Sequence, residues 1–151
     1  MSSLLQIDQP IAWSTITPDS ARKDIPSLIT DAKNKIELLK QAEPSYTNTV
    51  LALDSITERV FRAWNLVQHL NSVCNTPELR SAIQELQPQI SNFSSSLFID
   101  DGLWNVFQKA TADRSGLTAE QLRHVEETEM SFRLNGALLS AQDKETLVEL
   151  N

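Results

Sequence analysis

Cysteine is almost missing from this chain: Cys74 stands alone among 151 residues, which excludes an intramolecular disulfide and a multi-cysteine metal cluster and fits a reducing compartment. Only 3 glycines are present, too few for the turns of a β-sandwich or barrel, and they lie too far apart to form a phosphate-cradling loop. The 13 basic residues are scattered, are outnumbered by 20 acidic ones and form no run, leaving a net charge of -7. Nucleic acids and anionic membranes need clustered Lys and Arg to displace their counterions, so neither is an expected partner. No apolar stretch approaches the roughly 18 residues of a membrane span. The first twenty residues, with Asp8, Pro10 and Asp19, hold no uninterrupted apolar stretch of signal-peptide length. A cytoplasmic address is expected.

What is present is ordinary for a folded domain, 40% hydrophobic and 22% charged. A chain of this length buries roughly 70% of the surface its unfolded form exposes, and one unit is expected. Residues 1–17 mix Leu4, Leu5, Ile7, Ile11, Trp13 and Ile16 with polar residues and Pro10, the pattern of an extended arm whose apolar side chains need a surface to lie against. Thr17-Pro18-Asp19 then supplies a cap, a preset φ and an acid matched to the helix dipole. Pro26 is expected to divide this element into a short turn and a longer helix. Leu28, Ile29, Ala32, Ile36 and Leu39 recur at helical spacing until Glu43-Pro44 closes the run near residue 42.

Thr47 is read as the cap of the next helix. Its stripe places Leu53, Val60, Val67 and Cys74 seven apart, with Ile56, Ala63 and Leu70 between them and Phe61, Trp64 and Leu66 widening it. At 1.5 Å per residue it makes a rod on the order of 40 Å long. Thr76-Pro77-Glu78 repeats the opening signal, and Leu79, Ile83, Leu86, Ile90, Phe93 and Leu97 form the following seam, which Pro88 is expected to interrupt. The short link between these two helices makes them antiparallel neighbours.

Asp100-Asp101-Gly102 breaks the chain ahead of a short helix carrying Leu103, Trp104, Val106 and Phe107, which Arg114-Ser115-Gly116 ends. Thr118 and Gln121 form a capping box before a helix that turns Leu122, Val125 and Phe132 inward and pairs Glu129 with Arg133. A last amphipathic run from Ser140 to Asn151, through Leu147, Val148 and Leu150, carries no terminating cap and reads as a helix truncated from a longer chain. No repeat of roughly 30–45 residues recurs. The expected fold is all-α, a bundle of about six helices with a long central antiparallel pair, comprising an arm over residues 1–17 and a helical domain over residues 18–151.

Candidate chemistry is thin. The two histidines, His69 and His124, have no partner at the spacing of the zinc-binding helix motif H-E-x-x-H. Glu120, His124 and Glu127 share one helix face at i, i+4 and i+7, but a metal needs further ligands and supporting hydrogen bonds, so the face reads as solvated. His69 reads as a half-buried structural residue beside the long seam, Cys74 as a small core residue without a basic neighbour, and Trp13, Trp64 and Trp104 as core. The polar run Ser91 to Ser96 is a loop or a small-residue helix face. No catalytic or metal-binding residue is assigned, and substrate contacts stay unassigned.

The segment His69-Leu70-Asn71-Ser72-Val73, with Asn75-Thr76-Pro77-Glu78-Leu79-Arg80 directly after Cys74, resembles the N-terminal region of the oligopeptidase A and thimet oligopeptidase family of zinc metallopeptidases. Asp24-Ile25-Pro26 before it, and Phe132-Arg133-Leu134-Asn135-Gly136 with Leu138-Leu139 after it, extend the resemblance in the same order. The resemblance implies a cytoplasmic enzyme several times longer, with helical lobes flanking a channel that admits short peptides. It also implies zinc held in the parent by H-E-x-x-H and a later glutamate, none of which this chain contains. The segment is then expected to carry no cofactor, to have the C-terminal catalytic part of the same polypeptide as its partner, and to shape the channel wall. Two rivals are a free-standing helical interaction module, which would bury its apolar stripes by itself, and a small enzyme built on His124 and its acids.

Overall fold

The computed structural model describes residues 3–5 and 10–150, with the side chains of 4, 5, 10–140, 142–144, 146 and 147. Among these residues the fold is all-α, with six α-helices and no strand. The helices are α1 (Pro18–Leu39), α2 (Ala52–Cys74), α3 (Pro77–Ile99), α4 (Asp101–Ala110), α5 (Ala119–Leu134) and α6 (Ala141–Leu150). Short 3-10 turns cover Ser3–Leu5 and Trp13–Thr15, and a π-helical segment, Tyr46–Leu51, runs directly into α2. Ile7, Asp8, Asn151 and the side chains of Val148 and Leu150 lie outside the described residues.

The α1 start follows the sequence signal. Thr17 Oγ1 accepts from the Ser20 amide at 3.1 Å while Ser20 Oγ accepts from the Thr17 amide at 2.8 Å. Pro26, expected to divide the element, sits inside one continuous helix. An interior proline costs about 3 kcal/mol, whereas each buried Ile or Leu contributes about 1.5–3 kcal/mol. Ile25, Leu28 and Ile29 around it are all buried, so packing outweighs the lost donor. Pro88 is likewise held within an uninterrupted α3 by buried Leu86 and Ile90.

The cap before α2 is Ser45, not Thr47. Extended backbone at Ser45 lets its hydroxyl accept from the Asn48 amide at 3.0 Å, and the Asn48 side chain donates to the Glu43 carbonyl at 3.2 Å. The first turns, Tyr46–Leu51, are π-type, and regular α-helix begins at Ala52. At the other end Asn75 takes the left-handed conformation, φ 40°, which asparagine tolerates, and stops α2. Arg80 Nη1 donates to both the Asn75 carbonyl and Oδ1, at 2.9 and 2.6 Å. With Thr76 Oγ1 capping the Leu79 amide at 3.2 Å, a two-residue link joins the two long helices.

The chain divides into two compact units, Met1–Lys35 with Ser55–Ser91, and Ile36–Asp54 with Asn92–Asn151. In the first, Ile25, Leu28 and Ala32 of α1, Val60, Ala63, Trp64 and Val67 of α2, and Leu79, Ala82 and Leu86 of α3 are buried. Leu4 and Ile16, which precede α1, are buried as well. In the second unit α4 packs against the π-helical segment, with Leu103, Trp104, Val106, Phe107 and Val50 buried. The Phe132 ring of α5 lies 5.3 Å from Trp104, 5.3 Å from Phe107 and 5.4 Å from Phe98.

The capping box of α5 forms as the sequence predicts, Thr118 Oγ1 accepting from the Gln121 amide and Gln121 Oε1 from the Thr118 amide. Its far end closes in a Schellman turn: the Ala137 amide donates to the Phe132 carbonyl at 3.0 Å, and Gly136 takes φ 107°.

Candidate functional site

Two faces of α2 have different fates. At about 100° per residue, Val60, Ala63, Trp64 and Val67 point to one side and form the seam. Glu58, Phe61, Arg62, Asn65, Leu66 and His69 fall on the other. With Ile11 and Trp13 of the arm they line an open groove of about 490 Å³ in the first unit. Trp13 lies over His69, ring centroids 5.3 Å apart and planes tilted by 45°.

Several sequence expectations change here. His69 is exposed rather than half-buried, because it lies about 200° round the helix from Val67. Trp13 is exposed on the arm, whereas Trp64 and Trp104 are buried core. Phe61 and Leu66 do not widen the buried seam but form groove walls. Cys74 keeps the seam's register yet is exposed, since α2 ends there. The groove itself was not anticipated; its signal was the i, i+3, i+4, i+7 recurrence of residues 58, 61, 62 and 65 outside the seam. The groove lining contains no serine, threonine or cysteine, so it offers no hydroxyl or thiol nucleophile. Its walls are apolar, and Glu58, Arg62 and His69 add its charged and polar groups.

In the second unit the face carrying Glu120, His124 and Glu127 is committed elsewhere. His124 Nδ1 is hydrogen-bonded with the Tyr46 hydroxyl at 3.1 Å, and Glu127 accepts from Arg123 Nε at 2.8 Å. Among the described residues no group of three or more His, Cys, Asp and Glu is placed to hold a metal ion.

Ion pairs tie the helices of each unit. Arg22 of α1 grips Glu85 of α3 with two hydrogen bonds, 2.7 and 2.9 Å. These bonds, aided by Ser81, pull the Glu85 carboxyl from 4.5 down to about 2. Burial pushes the Asp100 carboxyl up, but Lys40 and the Leu103 amide outweigh it and hold the group below its ordinary value. The Arg114 hydrogen bond, against burial and with help from Arg133, lowers Glu129. Lys144 of α6 pairs with Asp101 of α4. Two buried oxygens, Asp24 Oδ2 and Asn71 Oδ1, have no hydrogen-bond partner among the described residues.

A family model of the neurolysin/thimet oligopeptidase N-terminal domain matches residues 25–144. The chain belongs to this family. It is 34% identical over 150 residues to oligopeptidase A of Haemophilus influenzae, covering 97% of this chain and 22% of that protein. The probable cytosolic oligopeptidase A of Arabidopsis thaliana is 29% identical over 136 residues, 88% of this chain and 19% of its own. Oligopeptidase A of Escherichia coli is 26% identical over 145 residues, with coverages of 91% and 21%. The chain thus spans about a fifth of the length of these curated relatives. In this chain the segments that carry the sequence resemblance fall on three local structures: the Asn75-centred link of α2 and α3, the first half of α1, and the Schellman close of α5. No described helix is long and apolar enough to cross a membrane.

Proposed function

We propose that this chain is the non-catalytic N-terminal helical part of a zinc-dependent oligopeptidase that hydrolyses short peptides, and that it forms part of the substrate-channel wall. Residues 1–17 act as an arm and residues 18–151 as the helical domain. The C-terminal catalytic part of the same polypeptide is its partner, and the cytoplasm is its location. The observation that carries this reading is the family match over residues 25–144, in a chain whose relatives are named oligopeptidases and are about five times as long. Helices of 22, 23 and 23 residues support a wall role, since each makes a stiff rod of roughly 35 Å. The α2 groove adds apolar walls and a charged rim for a passing peptide.

Zinc does not fit the residues of this chain. A zinc site needs three or four nitrogen, sulfur or carboxylate ligands that converge, but His124 is bonded with Tyr46, Glu127 with Arg123, and His69 lies against Trp13. The metal belongs to the remainder of the parent.

The test compares the parent enzyme with a version lacking residues 1–151 on peptides of graded length. Loss of discrimination against long peptides is expected; unchanged length selectivity sinks the wall role. Trp13→Ala with Phe61→Ala in the intact parent separates the groove from gross misfolding, with a raised KM for peptides as the expected result.

A further inference from the structure

Within these 151 residues Asn135 is the one asparagine followed by glycine, and the fold asks for each of the two separately. Gly136 sits at φ 107°, and a side-chain carbon there would lie 3.0 Å from Leu139 and 3.1 Å from Leu147, so the turn takes no larger residue without strain. Asn135 caps the end of α5: its Nδ2 donates to the Ser131 carbonyl at 2.8 Å, satisfying one of the last acceptors of the helix. Together these demands place a carboxamide beside the least hindered backbone nitrogen a chain offers. Asn135 is exposed, as are Leu134, Leu138 and Leu139 around it, so water reaches the pair. The bonds that close the turn use the Asn135 and Ala137 amides, at 3.1 and 3.0 Å, and pass over the Gly136 amide between them.

We propose that Asn135–Gly136 is a self-modification site, at which the chain converts its own asparagine to aspartate and isoaspartate with water as the only co-substrate. The Gly136 nitrogen attacks Asn135 Cγ, and the new N–Cγ bond closes a succinimide ring. The Cγ–Nδ2 bond breaks, and Nδ2 leaves as ammonia with the proton that the Gly136 nitrogen gives up. Water then opens the ring at either carbonyl. Opening at Cγ restores the ordinary main chain as aspartate, whereas opening at the main-chain carbon leaves isoaspartate, joined to Gly136 through Cγ. No oxidant or reductant takes part. Asn135 ψ, 12° in the folded chain, holds the Gly136 nitrogen away from Cγ, so ring closure requires the cap to open. A residue just past the end of a helix opens by local fraying, without global unfolding. The product cannot restore the cap. A carboxylate has no proton to donate to the Ser131 carbonyl, and its charge stands at the negative end of the helix dipole. Isoaspartate also adds a methylene to the main chain inside the turn that the Ala137–Phe132 bond closes. Conversion therefore releases the end of α5 and the leucines beyond it.

The experiment uses the intact gene product, incubated in mildly alkaline buffer, native and unfolded in guanidinium chloride, then digested for tandem mass spectrometry. In the native protein the replacement of amide NH2 by OH is expected at residue 135, more slowly than in the unfolded sample and ahead of every other asparagine. Electron-transfer fragmentation separates aspartate from isoaspartate, and both are expected. Asn135→Gln, whose larger ring closes far more slowly, is expected to lose the modification. Asn135→Asp, made directly, is expected to speed hydrogen exchange at the Ala137 amide about five-fold. An Asn135 that stays intact in the native protein once the unfolded sample has converted fully overturns the proposal, as does conversion spread evenly over the asparagines. Unchanged exchange at Ala137 in Asn135→Asp overturns the release of the cap.

Discussion

Replacing Phe132 with alanine tests the packing of the second unit where its rings converge. The side chain is fully buried and has Trp104, Phe107 and Phe98 within 5.3 to 5.4 Å, centroid to centroid. Truncating a core phenylalanine costs about 3–5 kcal/mol, more when the site cannot collapse, and each aromatic pair adds about 0.5–1.5 kcal/mol beyond area. Collapse is restricted here because α5 is tethered by Arg114 to Glu129 at 2.7 Å and by the Schellman turn at Gly136. The expected loss is therefore about 5 kcal/mol, a large share of the roughly 5–15 kcal/mol that domains possess. For a chain of this size it lowers Tm by about 10–20 °C. Urea titration followed by tryptophan fluorescence reads it directly, since Trp104 belongs to the cluster and Trp64 reports on the first unit. Phe132→Leu keeps most of the volume and is expected to lose about 1–2 kcal/mol, and Leu38→Ala, at an exposed site, less than about 0.5 kcal/mol. A loss under about 2 kcal/mol for Phe132→Ala, or equal losses for alanine and leucine, would refute the packing argument.

Glu85, held near 2 in the folded chain, adds stability that is fully present above its ordinary value of 4.5 and fades as pH falls toward 2. Carboxyl NMR is expected to show that midpoint in the wild type and a return toward 4.5 in Arg22→Ala; the same midpoint in both refutes the Arg22 assignment. Thr118→Ala removes half of the α5 capping box and is expected to cost about 1 kcal/mol in chemical denaturation, while Thr118→Ser stays near neutral. Gly136→Ala combines φ 107° with contacts of 3.0 and 3.1 Å and is expected to lose about 1–3 kcal/mol. Gly116→Ala, with nothing within 4 Å, is the contrast, expected within about 0.5 kcal/mol.

Local signals were legible where one short segment holds the whole interaction. The Thr17 cap of α1, Thr118 with Gln121 and Glu129 with Arg133 each close within a single turn, and the structure contains all three. The cap falls on Ser45, two residues before Thr47, as an ordinary local bond from the Asn48 amide, because either hydroxyl precedes the same apolar run and spacing alone does not choose between them. Pro26 and Pro88 were over-read for another reason: a local breaking tendency of fixed size met burial on both flanks that only neighbouring helices supply. The α2 groove went unseen because an exposed stripe looks like solvated surface until the arm lies beside it.

By itself the sequence determined the all-α class, the order of the helices, most of their starts, the inward seam of α3 and the family resemblance, because spacing along a helix sets the angle between side chains. It does not say what stands opposite each angle. Tertiary structure alone decided that His69 faces Trp13 instead of the core, that His124 bonds with Tyr46 and that the leucines after α5 stay exposed. Each depends on which distant segment arrives at that face, a contact that chain periodicity cannot encode.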